Sequence, residues 1–264
     1  MGLRIIQVDA FSAKPFAGNP AAVCVLAHAA DKRWMQQVAR ELNLSETAFL
    51  FRAGDAWNLR WFTPTVEIDL CGHATLASAH VLWEDGHLLA GTQARFDTRS
   101  GRLTADRSGE WIEMDFPSQA TTPTPPLATM LEALGVEAKY VGKNRTDYLV
   151  EVENEAAVRA LNPDHSRLRT LPIRGVIVTA RASSAGFDFV SRFFAPGSGV
   201  DEDPVTGSAH CALAPFWSER LGRSSLVGFQ ASPRGGVVAV RVSGDRVILA
   251  GQAVTVLRSE LVTH

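Results

Sequence analysis

Trp61-Phe62-Thr63-Pro64 runs through the acidic loop Glu67-Ile68-Asp69 to Cys71-Gly72-His73-Ala74. Further on the chain repeats the order, with Phe193-Phe194-Ala195-Pro196 leading through Asp201-Glu202-Asp203 to Thr206-Gly207-Ser208-Ala209. Both stretches read as an aromatic strand, a proline corner, an acidic loop, a glycine and then a helix of small residues. Phe62 and Phe194 lie 132 positions apart (194 − 62), half of the 264-residue chain. The simplest reading is duplication of a whole domain.

The helix that follows each glycine is apolar nearly all round. Ala74, Leu76, Ala77, Ala79, Val81, Leu82 and Trp83 make one; Ala209, Cys211, Ala212, Leu213, Ala214, Phe216 and Trp217 make the other. A helix without a polar face has to be buried. Around these two helices the pattern is mainly short strands: Ile5 to Val8, Ala21 to Leu26, Ala48 to Phe51, Leu59 to Phe62, Trp111 to Met114, Tyr148 to Val150, Val176 to Thr179, Phe187 to Phe194, Val237 to Val242 and Val247 to Ala250. Further helices are predicted over Asp31 to Leu42 and from Pro126 to about Leu134. These patterns predict an α/β (α+β) chain in which each domain is a curved mixed β-sheet wrapped around a central buried helix. The polar, proline-rich Ser118 to Pro126 reads as a linker, which gives domains 1–117 and 118–264 with an active site in the cleft between them. Pro215, inside the second apolar helix, is expected to kink it or release a carbonyl.

Composition narrows the function. Hydrophobic residues make up 46% and charged residues 20%, with a formal net charge of −2 and a pI near 6.4. There is no broad basic field to collect nucleic acid, and no apolar run near the roughly 20 residues of a membrane helix. A small-molecule partner and a cytoplasmic setting are expected. Cys24, Cys71 and Cys211 are too scattered for a disulfide framework, and none has the CxxC spacing of a metal site.

The chemistry is expected at the two helix starts. Gly72-His73 and Gly207-Ser208 offer free N–H groups at the positive end of a helix dipole, a setting that suits an anion such as a carboxylate. Glu46, in Asn43-Leu44-Ser45-Glu46-Thr47-Ala48, places one carboxylate at the mouth of an apolar strand, where a half-buried acid is suited to taking and returning a proton. His73, at a helix N-terminus, is expected to lean toward its neutral form and to donate or relay a proton. Asp203 reads equally as a helix cap or a substrate contact, and Glu202 as solvated. Glu67 and Asp69 point to one side of an extended segment and are read as structural.

Taken together, several motifs resemble the PhzF-like phenazine-biosynthesis family. They are Asp9-Ala10-Phe11 with Phe16-Ala17-Gly18-Asn19-Pro20-Ala21-Ala22-Val23; Leu44-Ser45-Glu46-Thr47-Ala48-Phe49; Phe62 through Thr75; and Asp203-Pro204-Val205-Thr206-Gly207-Ser208-Ala209-His210. With Gln230 and Arg234-Gly235-Gly236 the resemblance spans positions 9 to 236. It implies a diaminopimelate-epimerase-like fold, a homodimer, and isomerisation of a cyclic dihydro-hydroxy amino acid with neither cofactor nor metal. Glu46 then matches the family's proton-shuttling acid/base. His73, Asp203 and Ser208 match its other polar site residues, and Gly72 and Gly207 its backbone contacts. Asn19, Cys71, Thr206 and Arg234 are further candidates for substrate binding.

Two other readings stay open. A two-base epimerase or racemase on this fold uses a cysteine at each helix start; Cys71 occupies the first, but Thr206 stands at the second, and a hydroxyl is too weak an acid to mirror a thiol. A non-catalytic binding protein that has kept the fold is the other, and an exposed Glu46 would favour it. A hydrolase is disfavoured: there is no GxSxG elbow, and His210 lies only two positions after Ser208. No GxGxxG or P-loop context exists for nucleotide phosphate.

Overall fold

The computed structural model describes residues 2–262. Two compact units emerge, one running up to Asp115 and resuming at Ala250, the other spanning Phe116–Leu249. In chain order the first holds β1 (Leu3–Ala10), β2 (Asn19–Leu26), α1 (Lys32–Leu42), β3 (Glu46–Ala53), β4 (Ala56–Phe62), β5 (Glu67–Ile68), α2 (Gly72–Glu84), β6 (Ala94–Thr98), β7 (Gly101–Ser108) and most of β8 (Trp111–Pro117). The second holds β9 (Thr122–Pro123), α3 (Ala128–Leu134), β10 (Tyr140–Lys143), β11 (Asp147–Glu151), α4 (Glu155–Arg159), α5 (His165–Arg169), β12 (Gly175–Arg181), β13 (Phe189–Ala195), β14 (Val200–Asp203), α6 (Gly207–Leu221), β15 (Ser225–Gln230), β16 (Gly236–Ser243) and most of β17 (Arg246–Gly251).

The duplication is legible in the strand pairing. In the first unit β2 runs parallel to β3, β3 antiparallel to β4 and β4 antiparallel to β5; after α2, β6 returns parallel to β4 and pairs antiparallel with β7. In the second unit β11, β12, β13 and β14 make the same sequence of pairings, and after α6, β15 returns parallel to β13 and antiparallel to β16. Each half is therefore a mixed sheet packed on one buried helix.

α2 spans the predicted Gly72 to Glu84 and buries ten of its thirteen residues, from His73 to Trp83, without a polar stripe. Its small polar residues turn inward on their own backbone: Thr75 Oγ1 donates to the Cys71 carbonyl at 2.5 Å and Ser78 Oγ to the Ala74 carbonyl at 2.6 Å. α6 continues through Pro215, and the carbonyl that this proline cannot bond, that of Cys211, accepts from the backbone N–H of Gln119 at 3.0 Å. α1 is amphipathic instead, capped by Asp31, which accepts from the N–H groups of Arg33 and Trp34, and it buries Met35, Val38 and Ala39.

Two boundaries differ from the sequence reading. β18 (Ala253–Leu261) pairs antiparallel with β1 along its whole length, from Leu3 opposite Leu261 to Ala10 opposite Ala253, so residues from Ala250 on join the first unit and not the span 118–264. The proline-rich segment is stitched into the second unit: β9 pairs with β10, Ser118 N–H donates to Asp245, and Thr124 N–H donates to Val141. Neither feature leaves a local signature, because a long-range strand partner is chosen by tertiary packing. Among the described residues no helix is long and apolar enough to cross a membrane.

The second unit also carries a buried acid at the start of α4. Glu155, 3% exposed, accepts from the N–H and Oγ of both Ser183 and Ser184, at 2.6 to 3.1 Å, and from Arg159 Nε at 2.7 Å. Burial pushes its carboxyl up, but the bonds from Ser184, Ser183 and Arg159 outweigh that and hold it at about 2 against an ordinary 4.5. A lowered folded-state pKa stabilises above the unfolded value, and that stability drains away as pH falls from 4.5 toward 2; the gap corresponds to about 3 kcal/mol. In urea unfolding at pH 7, Glu155→Gln should cost about 2–3 kcal/mol, and the difference from wild type should shrink steadily below pH 4.5. A constant difference from pH 7 to pH 3 would contradict this assignment.

Candidate active site

Three side chains meet at the start of α2. Cys71 is the residue before the helix, with extended backbone and no side-chain cap bond, and Gly72 is the first helical residue. His73, 5% exposed, lies between two neighbours: Cys71 Sγ is 3.5 Å from its Nδ1, and Glu46 Oε2 is 3.1 Å from its Nε2. The Glu46–His73 approach has the distance of an ion pair without hydrogen-bond alignment, so both buried atoms stay unsatisfied in that sense. Glu46, the first residue of β3, leads a strand whose next four residues are buried, and keeps its side chain 15% exposed. The parallel register sets Glu46 opposite Ala21, two residues along β2 from Asn19.

Asn19 is fully buried and opens β2, after a loop built with little freedom. The buried Asp9 carboxylate accepts from the Phe16 N–H at 2.7 Å, and Gly18 sits at φ +68°, where an added Cβ would stand 2.2 Å from the Ala10 carbonyl oxygen. Only glycine fits there. This accounts physically for the Asp9…Phe16-Ala17-Gly18-Asn19-Pro20 motif.

The electrostatics of His73 correct the expectation of a neutral ring. Burial by itself favours the neutral form, but Cys71 and Glu46, one on each ring nitrogen, outweigh it and hold the ring protonated well above the usual histidine range. Burial pushes the Cys71 thiol up, and the neighbouring His73 works against that rise. The Cys71 sulfur at 3.5 Å and the Glu46 carboxylate at 3.1 Å outweigh the helix dipole at this ring.

In the second unit the corresponding segment is tied down by its own hydrogen bonds. Thr206, in the position of Cys71, donates its hydroxyl to Asp203 Oδ2 at 2.5 Å, while its N–H is held by Gln230 Oε1 at 2.9 Å. Gln230 Nε2 also donates to the Asp203 carbonyl at 2.7 Å. Asp203 thus anchors the turn before the helix, and the N-cap residue Thr206 makes no side-chain cap bond. Arg234 lies in the turn after β15, where Ser232 Oγ donates to the Pro204 carbonyl at 2.7 Å and links the two loops. Glu202 departs from the solvated reading: it makes a two-pronged pair with the buried Arg192 at 2.7 Å, and Arg192 also donates to the Leu161 carbonyl. Glu67 and Asp69 are structural as expected, both meeting Arg99, with Glu67 also on Arg60 and Lys32.

Ser208, next to Gly207 at the start of α6, has a partner that sequence reasoning missed. Arg174 Nη2 donates to its Oγ at 3.1 Å, and the buried Asp147 grips the same guanidinium through Nε at 2.8 Å and through Nη2. The guanidinium lies over the Phe193 ring, 5.5 Å from its centre. With its oxygen accepting from Arg174, the Ser208 hydroxyl is left to donate. The only signal in the sequence is a lone arginine before the apolar strand Gly175–Arg181, too weak to read without the fold. His210 faces away from Ser208, its Nδ1–H donating to the Thr206 carbonyl at 2.8 Å, and burial holds it at about 4, which leaves no Ser–His pair for hydrolysis.

Among the described residues Glu46, Cys71 and His73 are also the one group whose oxygen, sulfur and nitrogen donors cluster as metal ligands do, all within 4.8 Å of one another.

The family model for phenazine biosynthesis-like proteins matches residues 8–259 of this chain. An uncharacterized isomerase of Halalkalibacterium halodurans is 53% identical over 262 residues, covering 99% of both chains. The crystal structure of a phenazine biosynthesis protein of the PhzF family from Enterococcus faecalis superposes with a TM-score of 0.95 at 41% identity over the whole of both chains. A protein described as a predicted epimerase from Pseudomonas aeruginosa, at 24% identity, shares the fold with a TM-score of 0.79 over 99% of this chain and 100% of its own.

Ring NMR of the histidines tests the electrostatics directly. His73 should remain protonated through neutral pH while His210 remains neutral down to about 4. Glu46→Gln should lower the His73 midpoint, because it removes an anion beside a cation. A wild-type His73 that titrates at or below 6.5 would refute the arrangement.

Proposed function

Because the chain belongs to the phenazine biosynthesis-like family, we propose that it is a cofactor-independent isomerase that shifts a proton within a small cyclic, carboxylate-bearing, amino-acid-like substrate of the trans-2,3-dihydro-3-hydroxyanthranilate type. Glu46 is its single acid/base. The observation that carries this reading is the half-buried Glu46 carboxylate, 15% exposed, 3.1 Å from a histidine held as a cation. Such a carboxylate has a positive neighbour and keeps part of its side chain open to solvent.

The proton bookkeeping closes on one residue. A Glu46 oxygen takes a proton from an activated carbon of the substrate, and the electron pair moves into the adjoining unsaturated system. The same carboxyl then returns the proton to a second carbon on the same face, so no oxidant or co-reactant is consumed. Protonated His73 stabilises the Glu46 carboxylate and, with the free N–H groups that begin at Gly72, offers positive potential to a developing anion. Asp203 and Ser208, with the Gly207 backbone, are assigned substrate contact by the resemblance, and Asn19, Thr206 and Arg234 are further candidates for it. Donation from Arg174 makes Ser208 a hydrogen-bond donor toward substrate oxygen. A homodimer and a cytoplasmic setting belong to the same proposal.

The two-base reading is the specific alternative, since Cys71 does stand at the first helix start. Its mirror residue is the hydroxyl of Thr206, already committed to Asp203, so one-base transfer is favoured. Proton NMR in deuterated buffer, with a panel of cyclic and acyclic unsaturated amino and hydroxy acids, separates the readings. Isomerisation or deuterium uptake without added cofactor should fall at least about 100-fold in Glu46→Gln, and Cys71→Ser should keep most of it. Equal loss in Cys71→Ser would favour two bases; an unreactive wild type across a panel containing the dihydro-hydroxyanthranilate type would favour a non-catalytic binding protein.

A further inference from the structure

We propose that Glu46, Cys71 and His73 form a reversible binding site for one soft divalent cation of the Zn²⁺ class, which on the isomerase reading above acts as an inhibitor by occupying the proton-shuttling carboxylate. That consequence rests on the proposed function; the site itself rests on geometry.

The donors are a cysteine sulfur, an imidazole nitrogen and a carboxylate oxygen, a mixed set that suits zinc and cobalt and poorly suits hard cations such as Mg²⁺ or Ca²⁺. Bonds of about 2.0–2.3 Å at tetrahedral angles set neighbouring donors about 3.5 Å apart. Cys71 Sγ and His73 Nδ1 already stand at 3.5 Å. A metal on that edge needs Glu46 to swing in from the far side of the ring, and all three donors lie within 4.8 Å. Glu46 is the member able to move: its side chain is 15% exposed against 6% for His73, and its carboxylate ends a flexible two-carbon stem.

His73 Nε2 and Glu46 Oε2 face each other at 3.1 Å without an aligned hydrogen bond, so charge alone holds the pair and no directional bond ties Glu46 in place. Cys24 and Cys211 are buried and stand in no comparable donor group among the described residues. Three protein ligands leave a fourth position to water or an anion, as in open sites and unlike closed structural ones. On binding, the thiol proton and the extra imidazole proton leave to solvent, so charge and protons balance.

Cobalt is the direct probe, because thiolate ligation gives a near-ultraviolet charge-transfer band with no need for a substrate. Co²⁺ titrated into the full-length, metal-free, reduced protein should produce this band, saturating at one equivalent per chain and displaced by Zn²⁺. Cys71→Ser should abolish the band, Cys24→Ser should leave it intact, and His73→Gln and Glu46→Gln should each weaken binding about 10-fold or more. Absence of the band in wild type, its survival in Cys71→Ser, or titration without saturation at one equivalent would overturn the proposal. The measurement involves no turnover, so its failure leaves the isomerase reading standing. A saturable band in a protein inactive across the substrate panel would keep the site and remove its role as an inhibitor.

Discussion

The constraint on which each unit depends is a helix with no polar face. α2 and α6 must be hidden from water along nearly their whole length, and a mixed sheet is the element this chain supplies to hide them. Burying one Leu or Val contributes about 1.5–3 kcal/mol, and α2 buries Leu76, Val81, Leu82 and Trp83 among small residues that let the strands approach closely. The alanines are as important as the large side chains for this reason. Polar groups that enter these helices are turned back onto the backbone, as Thr75 and Ser78 show.

Burial of the helix body exposes its first turn to use. The N–H groups at Gly72 and Gly207 have no partner within the helix, so each helix brings a positive terminus to the edge of its sheet. In the first unit an imidazole, a thiol and a carboxylate gather around that terminus, and the Glu46–His73 ion pair lacks an aligned hydrogen bond. In the second unit Thr206 is closed by Asp203 and Gln230, and Ser208 is oriented by Arg174, itself clamped by Asp147. The two equivalent positions of the duplicated halves thus differ: one gathers a carboxylate, a thiol and an imidazole, and the other is tied down by hydrogen bonds.

The structural carboxylates underline the contrast. Glu155 is satisfied by five donors and held ionised down to about 2, and Glu202 is matched two-pronged by Arg192. Glu46 has neither arrangement. A largely buried acid denied a full set of donors costs free energy in folding.

By itself the sequence determined the duplication, the two buried helices with their start points, the strand content, and the residues Glu46, His73, Asp203 and Ser208 as the group to examine. These features are written in local order and periodicity, which a chain carries wherever it goes. What only the tertiary structure decided is how distant residues meet. The return of β18 to β1, the stitching of the proline-rich segment and the Asp147–Arg174–Ser208 chain all join positions far apart in sequence, where no spacing rule applies; the capture of Glu202 by Arg192 spans ten positions but depends on the pairing of β13 with β14. The charge of His73 belongs partly with them: helix position argued for a neutral ring, and the adjacent Cys71 together with a carboxylate delivered from β3 reversed it, because electrostatic influence falls with distance in space and is indifferent to distance along the chain.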